Sequence, residues 1–519
     1  MNQPIHKSWQ QYEAGKAYKR RLGLYEQIRR NERFYRGDQW QSGEGGELPR
    51  PVFNIIRRVI DYLICSVASA RLSIRYSHEN LHFLCDPKEK ALLSDSLTTV
   101  SEHAAWRWSK CGMEQKLLRL LTDAALTGDG VLYCYWDPSI RNPQPFDGDI
   151  VTEVIDNVNL FVSDVNRADI QSQDYILLAG RATVASLRRE AEAAGRTEEE
   201  IARIRPDVEE EGAGQYATYE LEGSDEAKAT YLIKFWREEG RVVFEKSTKY
   251  CVIRRARTDC HLYPVAYFNW MPTKNSFHGT SPITSLIPNQ QFINRAYAMV
   301  MKHMTDTAFS KVVYDKSKIP EWSNTVGEAI AAIGGGSIAD AVSVVGVGEM
   351  QSGYMELIDS AVSLTKELMG ATEAALGDTD ASNTSAILAL QETSRIPLTQ
   401  IRMGYYSAVE QLAAIWADMM CAYYPNDRLL CCVGEDGIVL RSADFSLLKQ
   451  GYLSATVEVT EVTRYTASGI QSMLDKLLDG GHITASEYVR RLPDGLLRDR
   501  NALAEHLNQT SHEAKEVSA

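Results

Sequence analysis

GTSPITSLIPNQQFINRAYAMVMKHM, residues 279–304, is where the sequence changes character. Ser281 stands at a helix N-cap position, and Pro282 follows at the first helical position, where its missing N–H costs little. Pro288 is expected to restart the turn, and beyond it Ile293, Tyr297, Val300, Met304 and Ala308 fall at helical spacing. This predicts a helix over 289–309, roughly 30 Å long. The chain before it mixes helix and strand; the chain after it is dominated by long helices.

Working back, strands are expected at 149–155, 174–180, 230–237, 241–246, 250–255 and 264–269. "VLYCYW" (131–136) is another, entered through the tight "TGDG" turn (127–130). Helices are expected over 10–38, 52–70, 90–109 and 113–127, with "GEGGELPRP" (43–51) as a break. The second has Val52, Ile55, Ile56, Val59, Tyr62 and Leu63 on one face. The fold class is α+β, predominantly helical, interrupted by an acidic segment near 190–226.

Working forward, residues 311–350 are mixed, with strand-like "KVVY", a helix around 323–333 and the glycine run 334–336. Residues 352–376 predict a helix with two apolar rows. Leu357, Ala361, Leu364, Leu368, Ala371 and Ala375 make one; Tyr354, Ile358 and Val362 start the other. A helix apolar on two sides is either central to a core or wedged between subunits. "GDTDASNTSA" (377–386) separates it from a longer helix over 385–424, which Pro397 should break near Ile396. In that helix Ile401, Tyr405, Ala408, Leu412, Ile415, Met419 and Ala422 form a buried stripe. Strands at 428–440 and 453–462 and a helical C-terminus over 466–507 complete the pattern.

Composition narrows the chemistry. At 519 residues the chain should hold two or more domains. Its longest apolar candidate, "VIDYLICSVASA" (59–70), is too short to span a bilayer and carries Asp61. The first residues have no apolar signal region, so assembly in a cytoplasm-like compartment is expected. Nine scattered cysteines form no CxxC pair, which argues for reduced thiols and against zinc. The net charge of −13 is uneven: residues 1–40 carry nine Lys/Arg against four Asp/Glu, and residues 190–226 carry thirteen acids against three bases. That is not the basic face of a tight nucleic-acid binder.

Catalytic signatures are missing from the sequence. Gly15–Lys16 is followed by Ala17, not the hydroxyl residue of a P-loop. "VVGVGEMQSG" (344–353) lacks the third glycine of a dinucleotide fingerprint, and neither HExxH nor GxSxG occurs. Counted from Asp378 as a calcium loop, the sixth residue is Asn383 and the twelfth Ala389, where glycine and glutamate are required. A looser carboxylate site at Asp378 and Asp380 is the one remaining enzymatic reading, that of a hydrolase. No metal or cofactor is expected.

Several phrases in order resemble the tailed-bacteriophage portal proteins, the head-to-tail connectors. "NERFYRGDQW" (31–40) followed by "PRPVFNIIRRVIDYLICSV" (49–67) resembles their N-terminal turn and Asn-containing helix. "ALTGDGVLYCYWDP" (125–138) resembles their helix–turn–strand, and "YPVAYFNW" (263–270) with "GTSPITSLIPNQQFIN" (279–294) their approach to the first stem helix. "NTSAILALQETSRIPL" (383–398) resembles the start of their long helix. The likeness spreads over residues 30–425; the acidic 190–226 segment and residues after 426 match no phrase.

The resemblance implies a ring, usually a dodecamer, at one capsid vertex of the virion. It implies a wing over 1–270, a descending stem helix over 271–310 and a clip over 311–350. A returning stem helix over 351–376, a tunnel loop over 377–385, a long wing helix with strands over 386–465 and a crown over 466–519 follow. Gly377, Asp378, Thr379, Asp380, Ala381, Ser382, Asn383 and Thr384 would face passing double-stranded DNA without gripping it. Lys311, Lys316, Lys318 and Trp322 would lie where the terminase large subunit and later a head-completion adaptor dock. Leu357, Ala361, Leu364 and Leu368 would pack between subunits. The implied function is a non-enzymatic conduit for genome packaging and ejection. Major capsid and scaffolding proteins are further implied partners, with assembly in the host cytoplasm and no membrane contact. Another head–tail adaptor or structural phage protein is the alternative.

Overall fold

The computed structural model describes residues 6–41, 48–78, 83, 86–141, 143–207, 227–307, 311–323, 330–331, 333–334, 337, 341–345, 353–371, 396–434, 437–449, 453–460, 464–492, 503–504 and 506–507. The chain divides into two compact units. One holds Met1–Ile28, Leu63–Pro282 and Leu398–Ala519; the other holds Arg29–Tyr62 and Ile283–Pro397.

The first unit is built on two antiparallel sheets. The smaller has the order β3–β2–β9, from β2 (Asp129–Asp137), β3 (Asp149–Ile155) and β9 (Val265–Asn269). The larger runs β4–β5–β6–β7–β8, from β4 (Leu160–Val162), β5 (Tyr175–Thr183), β6 (Lys228–Glu238), β7 (Arg241–Ser247) and β8 (Val252–Arg257). Alternate residues of each strand point to opposite faces. Thus Ile176 and Leu178 of β5 join Val131, Val265 and Tyr267 in one core. Leu177 turns the other way, onto Trp9 and Tyr12 of α1 (Lys7–Arg21).

Helices close the smaller sheet: α5 (Met113–Thr127) packs on β2, and α10 (Thr399–Tyr423) on β9 and β2. α4 (Pro87–Lys110) carries two further strand pairs. One is β1 (Arg71–His78) with β14 (Leu453–Thr460); the other is the hairpin of β12 (Leu429–Gly434) and β13 (Gly437–Ser442). Short helices α6 (Val184–Ala193), α7 (Glu198–Ala202) and α11 (Phe445–Lys449) complete this part.

The second unit contains most of α3 (Ile55–Ala68) and nearly all of α8 (Pro282–Thr307). It also holds the strand pair β10 (Lys311–Tyr314) and β11 (Val342–Val345), and α9 (Gly353–Leu368).

Several boundaries differ from the sequence expectation, each for a local reason. The helix expected over 10–38 is two, α1 and α2 (Leu24–Arg36), because Gly23 takes a left-handed φ of +67°. Pro288 does not restart the turn: it sits inside α8, where buried Ile283, Leu286 and Ile287 hold the helix through the breaker. The helix expected over 352–376 stops at Leu368. Gly370 N–H then meets the Glu367 carbonyl at 2.9 Å, and Ala371 N–H meets that of Lys366 at 3.0 Å.

At Pro397 a 3-10 turn over Ile396–Leu398 precedes α10, and residues 385–395 of the expected helix lie outside the described residues. Of the helix expected around 323–333, the described residues 323, 330, 331 and 333 are not helical. The strand expected over 428–440 is a hairpin. The C-terminal helix is divided into α12 (Arg464–Asp479) and α13 (Ala485–Arg491), with Gly481 at a φ of +69°. The strand β1 was not anticipated.

Candidate functional site

Three of the phrases that carry the resemblance, 31–40, 49–67 and 279–294, supply the second unit with one network of side-chain amides. Gln290 on α8 accepts the first two N–H groups of α3, from Ile55 at 3.0 Å and Ile56 at 3.3 Å. Those donors have no partner within their own helix. Gln290 in turn donates to the Phe53 carbonyl at 2.7 Å and to Asn294 Oδ1 at 2.9 Å. Asn294 donates to Gln39 Oε1 at 2.7 Å, and Gln39 donates to Asn54 Oδ1 at 3.1 Å and to the Phe34 carbonyl at 3.0 Å. Asn54 caps Arg57 N–H at 3.1 Å. Gln39, Gln290 and Asn294 are buried, where a network with every amide satisfied fixes one geometry. Residues 34–39 and 53–57 are therefore a brace on the first half of α8.

Other positions of the same helix face solvent. Phe292, Met299, Met301 and Met304 are exposed. α9 shows the feature most sharply. Its Leu357, Ala361, Leu364 and Leu368 recur at steps of four, three and four, one face of a helix. The three leucines are 54%, 57% and 73% exposed, while Ile358 and Thr365 are buried. The β10–β11 pair is small, since Val313 pairs with Ser343 and Tyr314 with Val342. Trp322 stacks on Tyr314 with ring centroids 5.4 Å apart, and Ile319 is buried beside the turn begun by Asp315. A two-stranded sheet of this size is marginal alone.

The first unit is held by buried polar centres. Asp129 accepts from Gly279 N–H at 2.7 Å, Asn269 Nδ2 at 2.9 Å and Asn157 Nδ2 at 3.1 Å, and pairs with His278 Nδ1 at 2.8 Å. This ties the residues just before α8 to the smaller sheet. A Cβ on Gly128 would lie 2.6 Å from the Gly279 carbonyl oxygen, so glycine is required there. Lys19 Nζ donates to the carbonyls of Asn157 (2.7 Å), Val158 (3.0 Å) and Leu160 (2.7 Å). Burial draws its pKa down to about 7, against the pull of Asp156 and Asp129.

Arg107, also buried, donates to Asp149 at 2.6 Å, to the Tyr424 hydroxyl at 3.2 Å and to the Ile150 carbonyl. His103 contacts the Cys431 carbonyl at 2.9 Å, and burial depresses its pKa to about 4. An open cleft of about 490 Å³ is lined by Asp259, His261, Asp418, Cys421 and Leu448. Asp418 is engaged by the N–H groups of His261 at 2.7 Å and Leu262 at 2.9 Å. Three thiols of this unit are held protonated: burial pushes Cys260 up to about 12 and Cys134 and Cys432 to about 11. Among the described residues no cluster of His, Cys, Asp or Glu could hold a metal, and no helix is long and apolar enough to cross a membrane.

Residues 183–440, about half of the chain, match the phage P22-like portal protein family. The chain belongs to the tailed-phage portal proteins. That family is structural rather than enzymatic, a head–tail connector of the virion that assembles as an oligomeric ring. No curated protein matches the chain. The family match extends past both limits of the acidic 190–226 segment, which no phrase had placed.

In this portal chain the expected site residues fall into three groups. Leu357, Ala361, Leu364 and Leu368 do share one face of α9, and the three leucines are exposed. Lys316 is exposed, while Lys318 and Trp322 are half-buried beside β10; Lys311 begins that strand, its side chain outside the described residues. Gly377, Asp378, Thr379, Asp380, Ala381, Ser382, Asn383 and Thr384 all lie outside the described residues. Sequence reading passed over the roles of Gln39, Asn54, Gln290 and Asn294, although their phrases were singled out. Amides at 290 and 294, one turn apart on a helix with apolar neighbours, were the available signal. It also missed the hairpin after α10, which the Asp436–Gly437 pair announces.

Proposed function

We propose that copies of this chain close a ring at one capsid vertex, usually a dodecamer in this family, through which double-stranded DNA is packaged and later ejected. The observation that carries this reading is the exposed leucine row of α9 in a folded, amphipathic helix. A row of that size left in water by its own chain fits cover by a neighbour. A closed ring supplies one through a heterologous contact repeated by rotation. Residues 271–310 and 351–376 are then the stem, 311–350 the clip, 377–385 the tunnel loop, 466–519 the crown, and 1–270 with 386–465 the wing.

The net charge of −13 suits a wall along which DNA slides. Each phosphate neutralised by Lys or Arg would add counterion-release affinity and slow translocation. Asp378 and Asp380 in the tunnel loop would repel phosphate, so contact there is light. The clip, with Lys311, Lys316, Lys318 and Trp322, is the docking platform for the terminase large subunit and then for a head-completion adaptor. Capsid and scaffolding proteins meet the ring during assembly in the host cytoplasm.

The test is packaging by heads assembled around rings that lack residues 315–345 of the clip. Such rings should still form yet fail to pull down terminase and leave the heads empty. Terminase capture at the wild-type level by the shortened ring would contradict the assignment.

A further inference from the structure

The β12–β13 hairpin presents a second apolar surface that no strand or helix among the described residues covers, in the other unit. Its register pairs Leu430 with Arg441 and Cys432 with Val439; between them Leu429, Cys431 and Val433 pair with Ser442, Leu440 and Ile438. Directly opposed residues of an antiparallel pair share a face. Leu430 and Cys432 turn inward and are buried. There Cys432 Sγ lies 3.4 Å from the Thr99 carbonyl of α4, and Arg441 pairs with Glu102 at 3.1 Å. The outward face is Leu429, Cys431, Val433, Ile438 and Leu440, with Ser442 as its one hydroxyl. Leu429, Val433, Ile438 and Leu440 are 42%, 51%, 68% and 56% exposed. β13 pairs with β12 alone among the described strands, and all its six residues are exposed. Its outer edge therefore offers open backbone groups as well. Natural proteins blunt such edges with charge, proline or cover, because an open apolar edge recruits other chains.

We propose that this face and edge are covered by a second copy of the chain, as the wing's share of the ring contact; the inference rests on the ring reading above. The area required favours this occupant. α9, with 16 residues, is about 24 Å long and about 10 Å across, so one face offers roughly 240 Å². A specific interface takes about 800 Å² from each partner. The α9 row falls short of that, and a similar strip from exposed Phe292, Met299, Met301 and Met304 of α8 still leaves about 300 Å² to come from elsewhere in each copy. The hairpin face contributes roughly 200 Å² more, from strands spaced about 4.8 Å apart and rising about 3.3 Å per residue. Its chemistry agrees: permanent homo-oligomeric contacts are apolar, whereas transient partners are met by polar and charged rims. This face has no charged side chain.

Two measurements on the full-length chain test the proposal. Hydrogen exchange of the 437–442 amides is compared between the single chain and assembled rings. Protection should rise about tenfold or more on assembly; equal exchange in both states overturns the proposal. In parallel, the I438K/L440K variant is weighed by native mass spectrometry after circular dichroism shows that it is folded. Wild type should form rings, and the variant should stay largely monomeric. Wild-type ring yield from the variant, with or without lost capsid-protein binding, overturns a second copy as the occupant. A wild-type chain that never closes rings overturns the ring reading and this inference together. Rings with unprotected β13 amides overturn this inference alone.

Discussion

α9 and α10 look alike in the sequence and end differently in the fold. Both space their apolar residues three and four apart. In α10, Tyr405, Ala408, Leu412, Ile415 and Met419 are all buried within their own chain. Phe268 lies against Tyr405, and the Trp416 indole N–H donates to Thr152 Oγ1 at 2.9 Å. In α9 the equivalent row stands in solvent. Helical periodicity therefore reports that a face has to leave water, and says nothing about whose atoms will cover it. A stripe covered by the same chain contributes to folding; one left open contributes only to assembly.

That difference can be broken by substitution. The largest loss of chain stability should come from Trp416→Ala, which empties a fully buried site and removes the indole donor to Thr152. Denaturant unfolding should show a cost of about 3–5 kcal/mol. Acid should come next. Unfolded His103 takes up a proton near its ordinary value, whereas the folded ring stays neutral until about pH 4. The unfolded state then binds more protons between those values, so stability falls as pH drops through that window, by about 3 kcal/mol in all. H103Q should flatten that part of the pH profile.

A smaller effect is expected from Gln290→Leu, which removes the acceptor for two helix-start N–H groups and the link to Asn294. It should cost about 1–3 kcal/mol and raise hydrogen exchange at Ile55 and Ile56. The smallest effect on the single chain should come from the pair Leu364→Glu and Leu368→Glu, within about 0.5 kcal/mol of wild type. That pair should nonetheless abolish ring formation. A large loss of chain stability there would mean that the row is covered within the chain, and the contrast with α10 would fail.

Much of the fold was legible because its signals are local. All strands of the two sheets except the three-residue β4 announced themselves by β-branched and aromatic alternation, and Pro397 marked the start of α10 within a few residues. Breaks that depend on tertiary context were not legible. Pro288 is overridden by the burial of its neighbours, and Gly23 divides a helix whose apolar spacing runs on unbroken. Of the candidate site, the α9 row was visible as a pattern, but its exposure was not. The amide network was invisible as a network, since it joins residues more than 230 positions apart. The α4-facing and outward sides of the hairpin follow from register, which no stretch of sequence states alone.

The central claim is that this chain closes a ring through surfaces it leaves exposed. Negative-stain imaging with native mass measurement of the purified wild-type chain, beside the Leu364→Glu, Leu368→Glu variant, tests it most directly. The account predicts rings with a central hole from wild type and folded monomers from the variant. Wild-type protein that remains monomeric at every concentration and salt tried, or a variant that closes rings as readily as wild type, would contradict it.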